Sequence, residues 1–221
     1  MWKISTKNII FSLFLCAGFA TFSCKKKPPI PADVFLTKGI KYAKEKKYDS
    51  CVNQLVKIDE LHPYSAESKA GMPVLIYCHY MNRDYDTIYP MIESFESLYP
   101  NSDQLPYLYY IKALSYFRVI KNYRRSIDVI VNLENTIFAL YERDSQGKYA
   151  ENLLHLLPFI AEMKLQNKIY TAQYYVSQQD YISATGRYTE ILSQDLEKKQ
   201  REELEKSFSA VMKNMGIKLE N

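Results

Sequence analysis

Two kinds of hydrophobic pattern divide the chain. An uncharged, mostly apolar run of 14 residues extends from Ile9 to Phe22, and Lys3 and Lys7 precede it. This length suits the apolar core of a secretory signal peptide and is short for a bilayer span. From residue 33 onward, apolar residues recur at the spacing of amphipathic helices. The pattern predicts a signal peptide over residues 1–23 and an all-α domain over residues 33–221.

The end of the apolar run resembles a bacterial lipoprotein signal. Cys24 follows the small residue Ser23, and three lysines and two prolines come directly after it. In such signals the cysteine thiol receives a diacylglyceryl group and the cysteine becomes the new N-terminus. We therefore expect Cys24 to be lipidated and residues 24–32 to form a short, stiff tether. Secretion with cleavage after Ala20 and retention of the run as an uncleaved anchor are the alternatives.

A repeat with an offset of 37 residues opens the helical part. Lys47-Tyr48-Asp49 recurs as Asp84-Tyr85-Asp86, and Leu61-His62-Pro63 recurs as Leu98-Tyr99-Pro100. A period of this length is typical of stacked helical hairpins, which must associate because a single one leaves an apolar face exposed. The first repeat fills the small, aromatic, large and helix-ending positions of the tetratricopeptide (TPR) pattern with Gly39, Tyr42, Cys51, Leu55, Ile58 and Pro63.

The pattern continues less regularly toward the C-terminus. The third repeat departs from it after Tyr116, which predicts an inserted or lengthened helix between Ser126 and Tyr141. A last amphipathic helix follows the charge run 195–206 and either caps the solenoid or offers its apolar stripe to a partner. The sequence thus predicts a TPR-type solenoid of about five repeats, the last one truncated. The fourth repeat carries the TPR spacing again, in Ala172, Tyr175, Tyr181, Ala184, Tyr188 and Ile191.

Composition narrows the class of protein. The net charge is +4, from 29 basic and 25 acidic residues, and this balance does not indicate a nucleic-acid binder. Only 6 glycines accompany 20 tyrosines, which favours long helices over a β-sandwich with many turns. The 4 cysteines lack paired short spacings, which excludes a disulfide scaffold and a cysteine-rich zinc module. We expect Cys51 and Cys78 to be buried as small apolar side chains.

The sequence offers no catalytic or metal-binding constellation. The 3 histidines share no ligand spacing with one another or with cysteine, and no P-loop, HExxH or GxSxG motif occurs. Ser145 and Lys148 fit the SxxK spacing of penicillin-recognising enzymes, but the companion motifs are missing, so we interpret this match as chance. We therefore predict a non-catalytic protein that uses neither a metal nor another cofactor.

The first helices of TPR repeats line a concave face, which makes this face the candidate binding groove. Exposed aromatic rings in such a groove suit an extended apolar peptide, whose backbone the tyrosine hydroxyls can bond. The alternative is that each ring packs against the neighbouring first helix. Extrapolation of the repeat pattern assigns these side chains to the groove: Leu36, Ile40, Tyr77, Tyr80, Tyr107, Tyr110, Phe117 and Arg118.

The lipoprotein signal, the proline-rich tether and the order of repeats resemble the BamD (ComL/YfiO) family of outer-membrane lipoproteins. The similar stretches are 35–65, 75–102, 109–116 and 172–188. The resemblance implies a lipid-anchored subunit of the β-barrel assembly machine on the periplasmic face of the outer membrane. Its N-terminal repeats would bind the aromatic-ended C-terminal segment of unfolded outer-membrane proteins.

The resemblance also implies partners for the C-terminal repeats. They would dock on the POTRA domains of the barrel subunit BamA, beside other subunits of the machine, and Arg187 matches a BamA-facing arginine of the family. A guanidinium can bind an acidic partner with two hydrogen bonds. The alternative function is a general envelope TPR adaptor linked to cell-wall or division factors. An enzyme would need the catalytic constellation that the sequence lacks.

Overall fold

The computed structural model describes residues 30–122, 124 and 126–217, so the predicted signal peptide and Cys24 lie outside the described residues. From Ala32 onward the chain forms one compact unit. This described part contains helices and no strand, which confirms the all-α prediction. Its ten helices are α1 (Ala32–Lys44), α2 (Tyr48–Leu61), α3 (Ala66–Met81), α4 (Tyr85–Leu98), α5 (Leu105–Val119), α6 (Ile127–Arg143), α7 (Lys148–Leu154), α8 (Leu157–Ser177), α9 (Tyr181–Leu192) and α10 (Lys198–Asn214).

The helices pack as stacked hairpins. Helices α1 and α2, α3 and α4, and α5 and α6 form successive pairs, and the first helix of each pair contacts the first helix of the next. In the first pair, Gly39 is buried, and a Cβ atom at this position would lie 2.6 Å from Leu55 Cγ. Only glycine permits this close approach of α1 and α2. The TPR-like solenoid predicted from the sequence is confirmed.

Three of the hairpin turns share one backbone geometry. At each turn a residue with positive φ ends the first helix, and the next N–H donates to the carbonyl five residues earlier, which is a Schellman cap. This cap usually places glycine at the left-handed position. Here other residues adopt the left-handed conformation, which explains why few glycines suffice for this fold. They are Lys46 (φ 58°), Arg83 (φ 62°) and Gln179 (φ 61°), and the closing bonds run from Lys47 to Tyr42, Asp84 to His79 and Asp180 to Tyr175.

The second half of the solenoid is irregular, as the sequence predicts. Helix α6 has 17 residues, whereas α2 and α4 have 14 each, which confirms the lengthened helix. The short helix α7 packs against α5 and α6. Helix α8 has Pro158 in its first turn; it contacts α6 and also pairs with α9. Helix α10 buries Leu204 and Val211 in the core that it shares with α8 and α9, so its apolar stripe packs internally.

Cys51 and Cys78 are buried, as the sequence predicts, but they do not pack as two independent apolar side chains. The two residues form a disulfide between α2 and α3, and both are fully buried. They occupy positions where neighbouring helices come close, and their Cα atoms are 6.5 Å apart, within the range that a disulfide spans. The spacing of 27 residues carries no local signal for this pair. It arises from the stacking of one repeat on the next.

Candidate functional site

A basic cleft lies between the second and third hairpins. Its volume is about 720 Å³, and it is formed by the C-terminal ends of α3 and α5 and the start of α4. The left-handed turn at Arg83 places this side chain at the wall of the cleft. The turn is held by a contact of 2.8 Å between His79 Nδ1 and Asp84 Oδ2. The residues that line the basic cleft are Tyr80, Met81, Arg83, Tyr85, Asp86, Arg118, Val119 and Lys121.

The charge of the basic cleft favours an anionic group. Three of its lining side chains, Arg83, Arg118 and Lys121, are basic and exposed, against the single carboxylate of Asp86. A hydrogen bond between the Arg118 guanidinium and the Tyr80 hydroxyl raises the pKa of Arg118 further above its ordinary value. The cleft can therefore neutralise a carboxylate or phosphate with directed hydrogen bonds.

A smaller apolar pocket borders the basic cleft. It has a volume of about 360 Å³ and shares Lys121 with the cleft. The rings of Phe117 and Phe159 lie 6.3 Å apart at its wall, and they are 36% and 52% exposed. Exposed phenylalanine rings next to a basic cleft can hold an apolar side chain beside a charged group. The apolar pocket is lined by Phe117, Ile120, Lys121, Phe159, Glu162, Met163 and Gln166.

Three of the side chains assigned to the groove by the sequence line these two cavities. Tyr80 and Arg118 belong to the basic cleft, and Phe117 belongs to the apolar pocket. The run of basic residues after Phe117, which includes Arg118 and Lys121, is the sequence signal for this cleft. Sequence reasoning missed Arg83 and Phe159, which lie in a turn and in a helix outside the regular repeat pattern.

The other assigned side chains lie elsewhere and are partly covered. Leu36 packs against the first core, which is formed by buried side chains of α1, α2 and α3, and Ile40 is half-buried. The Tyr77 ring contacts Tyr48 edge-on, with the ring centroids 6.1 Å apart. The rings of Tyr107 and Tyr110 lie 5.8 Å and 5.2 Å from that of Tyr149, which comes from α7. Burial raises the pKa of Tyr107 to about 12. Tyr149 of α7 thus contacts two of the aromatic rings of α5.

Arg187 lies on a second surface, on α9. Its side chain is half-exposed, and Nη1 is 3.6 Å from Glu190 Oε2. Lys168 of α8 approaches the same carboxylate at 2.9 Å, and this hydrogen bond lowers the pKa of Glu190. Gly186 precedes Arg187 and has open space where a side chain would be. We call Lys168, Gly186, Arg187 and Glu190 the α9 patch; shallow depressions border it.

Within residues 30–217, as far as the structure describes them, no group of three His, Cys, Asp or Glu side chains could hold a metal ion. None of the described helices combines the length and the apolar character that a membrane span requires.

Comparison with known proteins places this architecture in a family. Residues 29–220 match the family model YfiO, described as an outer membrane lipoprotein. The chain is 22% identical over 182 residues to outer membrane protein assembly factor BamD of Caulobacter vibrioides, which covers 80% of the chain and 58% of that relative. The BamD proteins of Rickettsia prowazekii (20% identity) and Vibrio cholerae (22%) match 83% and 77% of the chain.

The chain thus spans somewhat more than half of the Caulobacter relative, and 75% and 76% of the other two. The family match, in contrast, extends from the proline-rich segment to the last residues and includes every described helix. This chain belongs to the YfiO family of outer membrane lipoproteins.

Proposed function

We propose that this chain is a non-catalytic assembly factor for outer-membrane β-barrel proteins, held at the periplasmic face of the outer membrane by a lipid on Cys24. Its family and the name of its relatives support the assembly role. The observation that carries the proposal is that the basic cleft and the apolar pocket lie next to each other and share the lining residue Lys121. Mass spectrometry of the mature N-terminus tests the lipid directly.

The two cavities fit a peptide that ends in an aromatic residue with a free carboxylate. In this arrangement Arg118 and Lys121 neutralise the terminal carboxylate, while Phe117 and Phe159 contact the aromatic ring. A charge-assisted hydrogen bond contributes about 1.5–3 kcal/mol, and an aromatic pair adds about 0.5–1.5 kcal/mol beyond the area that it buries. The C-terminal segment of an unfolded β-barrel protein with a terminal phenylalanine has this chemistry. The cavities are open to solvent, which suits a client that must leave again.

The peptide test uses charge and ring variants with a matched pair of ligands. We expect Arg118→Gln to weaken binding of a phenylalanine-ended β-barrel peptide about ten- to a hundredfold in a fluorescence titration. The same variant should bind the amidated peptide like the unaltered protein, because that ligand lacks the carboxylate. Phe159→Ala should weaken both peptides, whereas Phe138→Ala, an equally exposed ring on α6 outside both cavities, should weaken neither. An equal loss of affinity for both peptides in Arg118→Gln would show that Arg118 does not bind the terminal carboxylate and would overturn that part of the proposal.

The α9 patch is the proposed docking surface for the POTRA domains of BamA, and Arg187 is its central residue. The Arg187 side chain is half-exposed, and its ion-pair partner Glu190 lies one helical turn away on the surface, so reversal of its charge leaves the core intact. We expect Arg187→Glu to weaken POTRA binding at least tenfold, since the substitution replaces an attraction with a repulsion. Lys57→Glu, an exposed charge reversal on α2, is the control. Unchanged POTRA affinity in Arg187→Glu would overturn the assignment of Arg187, whereas absence of POTRA binding by the unaltered protein would favour the general envelope adaptor.

A further inference from the structure

Helix α1 carries a row of exposed lysines. Lys38, Lys41 and Lys44 are spaced three residues apart, which places them on the same side of the helix. The other side of α1 carries Phe35 and Gly39, which are buried against the first core. Lys46 and Lys47 extend the charge into the following turn, where both are exposed. We call these five lysines the lysine face.

Few acidic groups neutralise the lysine face. Glu45 accepts the only ion pairs found there in the described structure, from Lys47 at 2.7 Å and from Lys41 at 3.9 Å. Among the described residues, no carboxylate lies within ion-pair distance of Lys38 or Lys44. Exposed pairs of the kind that Glu45 makes contribute little, so they do not fix the lysines in place.

The positive charge of the mature chain is concentrated at this end. Residues 24–48 contain eight lysines against Asp33 and Glu45. Residues 49–221 contain 19 basic and 23 acidic residues, so the remainder of the chain is negatively charged. Such an asymmetry orients a protein in the field of a charged surface.

We propose that the lysine face binds the anionic phospholipid headgroups of the bilayer to which Cys24 is attached. This inference rests on the lipid attachment in the proposed function. Ala32 is eight residues after Cys24, and eight residues extend by at most roughly 29 Å. The lipid would therefore hold α1 close to the membrane, and only nearby charges act at physiological salt, where the Debye length is about 8 Å. The contact would orient the first hairpin and, through it, the basic cleft relative to the bilayer.

The vesicle test uses the chain from residue 24 onward with Cys24→Ser, so that binding does not depend on the lipid. This chain contains the whole compact unit that begins at Ala32. The probes are phosphatidylcholine vesicles with and without about one third phosphatidylglycerol, since acidic lipids supply the negative surface potential. We expect the variant Lys38→Gln/Lys41→Gln/Lys44→Gln to lose about fivefold per lysine, and thus roughly a hundredfold, in partitioning to the acidic vesicles.

The matched control is Lys198→Gln/Lys199→Gln/Lys206→Gln, which removes the same charge from exposed positions of α10. It should change partitioning less than twofold, and circular dichroism should show both triple variants folded. Equal losses of partitioning in the two triple variants would show that only the net charge of the chain matters, and this would overturn the proposal. Full binding by the α1 variant would show that Lys38, Lys41 and Lys44 do not contribute to the contact, and equal binding of the unaltered chain to neutral and acidic vesicles would exclude a charge-based contact. Either result would overturn it as well, while the peptide and POTRA titrations, which contain no lipid, would be unaffected.

Discussion

The N-terminal and C-terminal regions of the solenoid are held together in different ways. From α1 to Met163 of α8, three hydrophobic cores follow one another and share side chains: Met72 and Met91 contact both the first and the second, and Tyr110 contacts both the second and the third. The core of the C-terminal region begins at Leu165 of α8 and includes α9 and α10. Among the described residues, this core shares no side chain with the third one.

Polar contacts follow the same division. In the N-terminal region, Glu96 of α4 accepts hydrogen bonds from Tyr109 of α5 and from Arg143 of α6, and so joins two hairpins. Between the regions, Gln200 of α10 donates to Glu162 of α8 over 3.0 Å. Apart from such polar links, the two regions communicate through the continuous helix α8. A shared core couples neighbouring repeats strongly, whereas a shared helix holds their orientation and lets each region unfold alone.

This difference matches the two proposed tasks. The basic cleft lies between hairpins that share a core, which keeps its opposite walls at a fixed distance. The α9 patch lies on the C-terminal region, which helix α8 joins to the N-terminal region. A partner can bind there without disturbing the cleft. The comparison predicts that damage to one core stays within its own region.

The largest expected effect comes from cavities in the two regions. Ile92 of α4 and Ile191 of α9 are both buried, and truncation to alanine should cost about 2–5 kcal/mol of unfolding free energy at either position. Ile191→Ala should accelerate amide hydrogen exchange in α9, α10 and the second half of α8 only. Ile92→Ala should accelerate exchange across α1 to α6, because its core shares Met72, Met91 and Tyr110 with both neighbours. Uniform acceleration throughout the chain in both variants would show a single cooperative unit instead.

The disulfide offers a second test of the division into two regions, because it lies wholly within the N-terminal region. Removal of a crosslink that closes a loop of 27 residues should cost about 2–4 kcal/mol of unfolding free energy. We expect Cys51→Ala/Cys78→Ala to lower the thermal unfolding midpoint of the α1–α4 hairpins, with α9 and α10 unchanged in hydrogen exchange. Addition of a thiol reductant to the unaltered protein during unfolding should reproduce the effect, and to the double variant it should do nothing. A midpoint that is insensitive to both treatments would contradict a stabilising disulfide.

The sequence predicted the repeats well and their mutual contacts poorly. Gly39, Leu55 and Ile191 follow a local spacing, and that spacing placed them correctly in helices and cores. The contact of Tyr149 with Tyr107 and Tyr110 depends on how α7 folds back on α5, and no periodicity encodes this. Phe159 and Lys121 meet at one pocket for the same reason. Contacts between repeats depend on the rotation from one hairpin to the next, which a single sequence does not reveal.

The smallest expected effects come from one substitution made in both regions, and they should have opposite signs. Gly39 and Gly186 both lie inside helices, where alanine is intrinsically more favourable by about 0.5–1 kcal/mol. At Gly186 a methyl group meets nothing within 4 Å, so Gly186→Ala should gain that amount. At Gly39 the methyl group would collide with Leu55, which is itself buried. Gly39→Ala should therefore lose about 1–3 kcal/mol of unfolding free energy through overpacking.

Urea unfolding curves of the two alanine variants would measure both changes in unfolding free energy. For Gly186→Ala this change can also be compared with partner binding, because Gly186 belongs to the α9 patch. Gly186 is next to Arg187 on the surface that we assign to the POTRA domains. If a partner approaches the backbone of α9 at this point, Gly186→Ala should weaken POTRA binding although the isolated chain is more stable. Loss of affinity together with a gain in stability would place the contact at Gly186 itself, because a folding defect cannot produce that combination. A stabilised variant with unchanged affinity would limit the interface to the side chain of Arg187 and leave the exposed glycine without a role in binding.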